Sequence, residues 1–176
     1  MKTEFKAKFL QHVAKKRKEE GFTLIELLVV IIIIGILSAI ALPSFLSQAN
    51  KAKQSEAKTY IGSLNKAQQA FYVEKNAFSD SIKTLGVGIQ TETTNYTYAC
   101  AIITDVGGQC TAQVPTAVEA TSPLRRYGGL TYAINADDNA DATTTSIICE
   151  TNTNEKIEDF DKKDGSCPEN TSKVGA

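Results

Sequence analysis

Residues 20–43 have the sequence EGFTLIELLVVIIIIGILSAIALP. From Phe22 to Leu42 this segment is apolar apart from one charge, Glu26, and Pro43 follows it. As a helix with a rise of ~1.5 Å per residue, these 21 residues would be about 31 Å long. The hydrocarbon core of a bilayer is ~30 Å thick. The segment is therefore predicted to be a helix that can span a membrane.

A basic and hydrophilic stretch, residues 1–21, precedes this helix. A secretory signal has its apolar part before the cleavage site and small residues at that site. Here the apolar part begins only at Phe22, and residues 21–26, GFTLIE, resemble the prepilin cleavage motif of type IV pilins and type II secretion pseudopilins. The resemblance implies that a prepilin peptidase cleaves after Gly21, that Phe22 is then N-methylated, and that the helix stays on the mature chain.

The resemblance covers the leader and the N-terminal helical part of the mature chain, which look most like those of cyanobacterial pilins. Beyond this part it is a resemblance of architecture. The matching positions are Gly21, Phe22, Thr23, Glu26, Gly35 and Pro43. The predicted organisation is a leader (1–21), a transmembrane and filament-core helix (22–43), an amphipathic helix (44–75) and a β-sheet region (76–176).

The charge differs between the two parts of the chain. The leader holds seven basic and three acidic residues, a net charge of +4, and the remainder has a net charge of −5. A positive leader before a membrane helix predicts a cytoplasmic N-terminus and an external C-terminus. The remaining 155 residues suit a single domain. Their mild negative charge gives no reason to expect a nucleic-acid groove or a surface for anionic lipids.

Four cysteines, Cys100, Cys110, Cys149 and Cys167, lie in the part predicted to be external. An even number of cysteines in an oxidising compartment indicates disulfides, and three pairings are possible. Cys100–Cys110 and Cys149–Cys167 are favoured because each closes a short loop, which contributes about 3 kcal/mol in the chain-entropy model. A zinc site is disfavoured because the sequence contains no C-x-x-C pair.

The long helix is expected to continue beyond Pro43, which interrupts it because proline cannot donate a backbone hydrogen bond. Tyr60, Leu64, Ala67 and Phe71 recur at spacings of four, three and four, which predicts one apolar stripe on an amphipathic helix. This stripe needs a partner from the same chain. The predicted partner is a β-sheet.

Four segments have the alternation or β-branched content of strands: Tyr96–Ile103, Cys110–Val118, Leu130–Asn135 and Ser146–Glu150. Residues 104–108, TDVGG, predict the hairpin turn between the first two strands. The C-terminal residues 151–176 are polar and are expected to be irregular, with Cys167 holding them to the sheet. The predicted fold class is α+β, a long helix packed on a four-stranded antiparallel sheet, which the pilin resemblance also implies.

Glu26 supports two interpretations. Thr23-x-x-Glu26 matches a capping box, and an acidic residue in the first turn suits the helix dipole. The resemblance to pilins implies a second role, in which Glu26 pairs with the amine of Phe22 on a neighbouring subunit of a filament. The assembly role is favoured, and both roles can coexist.

Gly35 and Pro43 also support two interpretations. Glycine is common in membrane helices and proline often marks the end of a span. Alternatively, residues 35–43 have weakened helical bonding and extend when subunits pack, as the resemblance implies. The sequence does not choose between these two interpretations.

Three weaker signals lie outside the N-terminal motif. Arg125–Tyr127 could contact DNA, but two arginines beside an aromatic residue more often form a solvated loop. Asp137–Asp141 could bind Ca²⁺, but it lacks the spacing of an EF-hand loop. Asn95–Thr97 and Asn170–Ser172 match the N-x-[ST] pattern, which is too short to be specific. No metal or cofactor is therefore predicted.

Catalysis is not expected, because the only histidine, His12, lies in the predicted leader. The predicted function is a structural subunit of type IV pili that serves motility, adhesion and DNA uptake. Its predicted partners are copies of itself, a prepilin peptidase, an assembly platform with a separate ATPase, the membrane before assembly and, without sequence specificity, DNA. The alternatives are a type II secretion pseudopilin and a minor pilin.

Overall fold

The computed structural model describes residues 22–115, 122–134, 143–152, 156–160 and 165–175. One helix, α1 (Leu24–Lys75), precedes five strands in these residues. The strands are β1 (Thr97–Ile103), β2 (Gly107–Gln113), β3 (Tyr127–Ile134), β4 (Thr143–Thr151) and β5 (Thr171–Lys173). The chain divides into two compact units between Ser47 and Gln48.

The α+β prediction is confirmed, with one strand more than expected. The five strands form a single antiparallel sheet in the order β1-β2-β3-β4-β5. The additional strand, β5, comes from the C-terminal residues that were expected to be irregular. It pairs Cys149 with Lys173 and Thr151 with Thr171. A three-residue strand has no periodicity that a sequence pattern could detect.

The β1–β2 hairpin is tighter than the sequence predicted. Its turn comprises residues 104–106, with Asp105 at a φ of 62°, and β2 begins at Gly107 rather than Cys110. A Cβ at Gly107 would overlap the backbone of Thr131 on β3, so a glycine is required there. The strand ends before Pro115, which has no N–H for a sheet.

Helix α1 packs on the sheet through a stripe that differs from the predicted one. The buried residues are Ala57, Ile61, Leu64, Asn65 and Gln68, whereas Tyr60, Ala67 and Phe71 are only half-buried. Both buried amides donate hydrogen bonds, Asn65 Nδ2 to Ile147 O (2.9 Å) and Gln68 Nε2 to Ser79 O (2.6 Å). A stripe defined by apolar residues alone could not include them.

Close contact between α1 and the sheet depends on Gly129 in β3. A Cβ there would overlap the side chains of Asn65 and Ile61. The opposite face of β3 is covered as well, because Ile157 and Phe160 pack where a Cβ on Gly128 would lie. Strand β3 is therefore buried on both faces, by α1 on one side and by the C-terminal segment on the other.

The C-terminal segment is held on the sheet by polar groups and a disulfide. The Gln109 side chain donates to Asp159 Oδ1 (2.7 Å) and accepts from Phe160 N (2.9 Å). The Sγ atoms of Cys149 and Cys167 are 2.02 Å apart, and those of Cys100 and Cys110 are 2.08 Å apart. Of the three pairings that the sequence left open, the structure has the favoured one, in which both disulfides close short loops.

Three tyrosines form an aromatic cluster between α1 and the sheet. The ring of Tyr96 lies 6.3 Å from those of both Tyr98 and Tyr127, and all three side chains are buried. Tyr96 OH donates to Arg125 O (2.8 Å). Burial is the main cause that raises the pKa of each of these phenols well above the usual value.

This cluster predicts that the fold loses stability at alkaline pH. The pKa of each phenol is higher in the folded than in the unfolded chain, so its contribution is complete below pH ~10 and is lost as the pH rises further. Each tyrosine should lower the free energy of unfolding by up to about 1.4 kcal/mol per pH unit in that range. Urea unfolding of the detergent-solubilised chain between pH 8 and pH 11 measures this, and Tyr98→Phe should make the decline shallower. Ionisation of Tyr96, Tyr98 and Tyr127 near pH 10 in the native chain would contradict the prediction.

Candidate functional site

The N-terminal half of α1 is apolar on all sides. Every large apolar side chain from Phe22 to Leu46 is at least 44% exposed. By length and composition α1 is apolar enough to cross a membrane, and its most apolar window is not buried within the described chain. An apolar surface of this extent indicates contact with lipid or with other protein chains.

Helix α1 begins with a complete capping box, so the capping interpretation of Glu26 is confirmed. Glu26 Oε2 accepts from Thr23 N (2.8 Å) and from Thr23 Oγ1 (2.8 Å), and Glu26 N donates to Thr23 Oγ1 (3.3 Å). Both residues are exposed. Only one carboxylate oxygen is used, because Glu26 Oε1 accepts no hydrogen bond from the residues that the structure describes. One oxygen is therefore available to an external donor.

Phe22 lies directly before the capping residue and is 85% exposed. It is not part of α1, so neither its backbone N–H nor its side chain is occupied by the helix. The sequence places its backbone nitrogen and the Glu26 carboxylate near the same helix terminus. The predicted cleavage site itself includes Gly21, which lies outside the described residues.

Pro43 lies inside α1 and does not end it. Since proline has no N–H, the carbonyl of Ala39 lacks its usual donor within the helix. A Cβ at Gly35 would meet no atom within 4 Å. The helix is therefore continuous over residues 35–43, with one backbone hydrogen bond fewer than a regular helix.

The prediction that Arg125–Tyr127 forms a solvated loop is wrong for two of its three residues. Arg126 is 1% exposed, and Tyr127 is fully buried in β3. Arg125 Nη1 bonds Glu150 Oε1 (2.9 Å), and Lys58 Nζ bonds Glu150 Oε2 (3.1 Å). This ion-pair network could not be predicted from the sequence, because its members come from a helix, a loop and a strand that no local pattern connects.

The remaining weak signals give no site. Asp137–Asp141 lies outside the described residues, which contain no group of three potential metal ligands. Asn95 Nδ2 donates to Glu56 Oε2 (3.0 Å), so the amide of the first N-x-[ST] match is already bonded. Asn170 is exposed, at a φ of 61° in the turn before β5.

Two family models match this chain. The model described as Type IV pilin-like G and H matches residues 54–171, and the Prokaryotic N-terminal methylation motif matches residues 16–42. The first match covers more than half of the chain. The second includes every residue of the N-terminal motif except Pro43.

Several known proteins are similar in sequence. The type IV major pilin protein PilA of Myxococcus xanthus is 49% identical over 69 residues, which are 39% of this chain and 31% of that protein. The fimbrial protein EcpC of Eikenella corrodens is 30% identical over 124 residues, covering 70% of this chain and 78% of that protein. Type II secretion system core protein G of Vibrio cholerae is 38% identical over 64 residues, 36% of this chain and 44% of that protein. The chain thus spans about a third of the Myxococcus relative and most of the Eikenella one.

Proposed function

This chain belongs to the type IV pilin family, and we propose that it is a structural subunit of type IV pilus filaments. The observation that carries the proposal is the apolar half of α1, which is exposed on every side from Leu24 to Leu46. Such a helix is stable in a membrane or against other apolar helices. The subunit therefore waits in the cytoplasmic membrane and then polymerises through this helix, with the sheet unit on the outside of the filament.

Processing is the first step of this proposal. A prepilin peptidase cleaves between Gly21 and Phe22, and the new N-terminus of Phe22 is methylated. The support is the match to the N-terminal methylation motif, which spans residues 16–42 and contains both positions. The seven basic residues of the leader favour a cytoplasmic N-terminus and an external sheet unit.

Glu26 selects the partner helix in the filament. Its free Oε1 accepts from the amine of Phe22 on a neighbouring subunit, while Oε2 keeps the capping box closed. Because the pair forms between subunits, it offsets the cost of the buried charge only when the register is correct. The Glu26 carboxylate thus caps its own helix and also pairs with the neighbouring subunit.

Residues 35–43 extend when subunits pack. The support is the missing N–H of Pro43, together with propensities that disfavour glycine by ~1 kcal/mol and proline by ~3 kcal/mol relative to alanine in a helix interior. The alternative is that Gly35 and Pro43 are ordinary residues of a membrane helix. A lower helix content in filaments than in membrane-extracted subunits distinguishes the two.

The wider roles follow from a retractable surface fibre. Extension and retraction require a separate ATPase motor and an assembly platform, and the fibre serves motility, adhesion and DNA uptake. Contact with DNA would have no sequence specificity. Burial of Arg126 and the pairing of Arg125 with Glu150 make residues 125–127 a poor DNA-binding site.

The test is to shear cells gently, collect the extracellular filaments and measure the intact mass of their main protein. The expected mass is that of Phe22–Ala176 plus one methyl group, less four hydrogens for the disulfides. A processed protein that is found only in the cell envelope would favour the second candidate, a type II secretion pseudopilin. That candidate is supported by the similarity to core protein G. A minor pilin would be present in the filaments, but not as their main protein.

A further inference from the structure

Two lysines follow the apolar half of α1. Lys51 and Lys53 are the first charged residues after Glu26, and both are exposed on α1. Neither takes part in an ion pair within the described ranges, where the salt bridges join Lys58 and Arg125 to Glu150. Two unneutralised cations therefore lie just beyond the apolar segment.

The carboxylates near these lysines already have partners in the fold. Glu56 is three residues after Lys53, but its oxygens accept from Asn95 Nδ2 (3.0 Å) and Tyr98 OH (3.4 Å). Glu150 is shared by two other cations. Lys51 and Lys53 are thus free to bind an anion outside the chain.

Their distance from the apolar segment matches the depth of lipid headgroups. Lys51 is five residues after Leu46, the last large apolar residue of the segment, which is about 7.5 Å of helix. The headgroup region on each side of a bilayer is ~5–8 Å thick. The exposed apolar residues continue beyond Leu42, the end of the span predicted from the sequence, as far as Leu46, and a tilt of α1 in the bilayer accommodates the additional length. With Leu46 at the edge of the hydrocarbon core, the ammonium groups of both lysines reach the lipid phosphates, because long side chains adjust their depth.

We propose that Lys51 and Lys53 bind the phosphates of anionic lipids in the leaflet through which α1 leaves the membrane. This extends the proposed function, because it concerns the subunit before it polymerises. Once the leader is removed, its seven basic residues no longer contribute to lipid binding. Lys51 and Lys53 are then the lysines that remain next to the membrane helix. They retain the processed subunit at the membrane surface, and this contact breaks on assembly. This proposal departs from the expectation, based on net charge alone, that there is no reason to look for a surface that suits anionic lipids.

The test measures lipid binding to membrane-extracted protein by native mass spectrometry. Wild type, Lys51→Gln/Lys53→Gln and the control Lys66→Gln/Lys83→Gln are titrated with phosphatidylglycerol and with phosphatidylcholine. The control lysines are also exposed and carry the same charge, but they are distant in sequence from the apolar segment. Any leader that remains is identical in all three proteins, so the comparison holds whether or not processing occurs.

We expect the Lys51/Lys53 variant to bind phosphatidylglycerol about 25-fold more weakly, or about 5-fold for each lysine, with phosphatidylcholine unaffected. The affinity of the control variant for phosphatidylglycerol should change less than about 2-fold. In 1 M salt most of the difference between wild type and the Lys51/Lys53 variant should disappear, because the Debye length falls to ~3 Å.

Unchanged binding in the Lys51/Lys53 variant, an equal loss in the control, or displacement of the lipid by inorganic phosphate would overturn the proposal. Retained lipid binding with loss of filaments would overturn it too, because the lysines would then contact another subunit. Absence of the wild-type protein from filaments would refute the proposed function and leave this result standing.

Discussion

Glu26→Gln is expected to leave the start of α1 folded and to abolish filament assembly. Glutamine at this position of a capping box can still accept from Thr23, so the local role is kept. The charge is lost, and the amine of the neighbouring Phe22 is buried without a partner. A charge in hydrocarbon costs roughly 2.5–3.5 kcal/mol on insertion scales. An ion pair at 4 Å gains about 4 kcal/mol at an effective dielectric constant of ~20.

Each interface in the filament should therefore weaken by about 4 kcal/mol, or roughly a thousandfold in its association constant. The measurement is the yield of sheared filaments, together with the mass of the cell-associated protein, which should still be cleaved. Glu26→Ala should also block assembly, since it removes both roles. Glu74→Gln is the matched control, because Glu74 is an exposed glutamate on the same helix.

The three variants separate the two roles of Glu26. Normal filaments from Glu26→Gln together with none from Glu26→Ala would show that capping alone matters. Normal filaments from both variants would refute the assembly role. Loss of cleavage in either variant would mean that the residue acts earlier, on the peptidase.

The parts of the fold that the sequence predicted are those with local causes. The apolar run from Phe22, the capping box and the alternation in the first half of β1 each depend on neighbouring residues, and all three are present in the structure, although the alternation ends before Ile102, which is exposed. The buried stripe of α1 was misplaced because its polar members depend on distant partners. The Asn65 amide can be buried because a backbone carbonyl of β4 accepts a hydrogen bond from it. The Gln68 amide can be buried because the backbone carbonyl of Ser79 accepts one from it. No helical periodicity contains that information.

The same division applies to the candidate site. Thr23 and Glu26 are three residues apart, so their contact could be inferred from the sequence. The burial of Arg126 could not be inferred, because two arginines beside a tyrosine have the composition of a surface loop. The availability of Lys51 and Lys53 likewise depends on distant residues, Asn95 and Tyr98, which occupy the nearest carboxylate. The sequence therefore does not show which charged groups are paired with residues that are distant in the chain.

Cys149→Ser/Cys167→Ser is expected to destabilise the sheet unit by about 3 kcal/mol, which lowers its melting temperature by roughly 6–12 °C. The disulfide closes a loop of 18 residues that includes Ile157 and Phe160, the side chains that cover Gly128 on the outer face of β3. Without it, this segment is held by the hydrogen bonds of Gln109 and its own packing. We therefore expect the backbone amides of residues 156–160 to exchange hydrogen much faster in this variant.

Cys100→Ser/Cys110→Ser is the matched comparison, since it also removes one disulfide without leaving a free thiol. Its loop separation of 10 predicts a chain-entropy contribution close to that of the other disulfide. However, Cys100 and Cys110 face each other in a hairpin that seven residue pairs already hold in register. Much of the order that this disulfide imposes therefore exists without it. Its removal should lower the free energy of unfolding by less than removal of Cys149–Cys167, and should leave the hydrogen exchange of residues 156–160 unchanged. A larger loss of stability in this variant, or equal exchange in both, would show that the C-terminal segment is held by its packing and hydrogen bonds and not by Cys167.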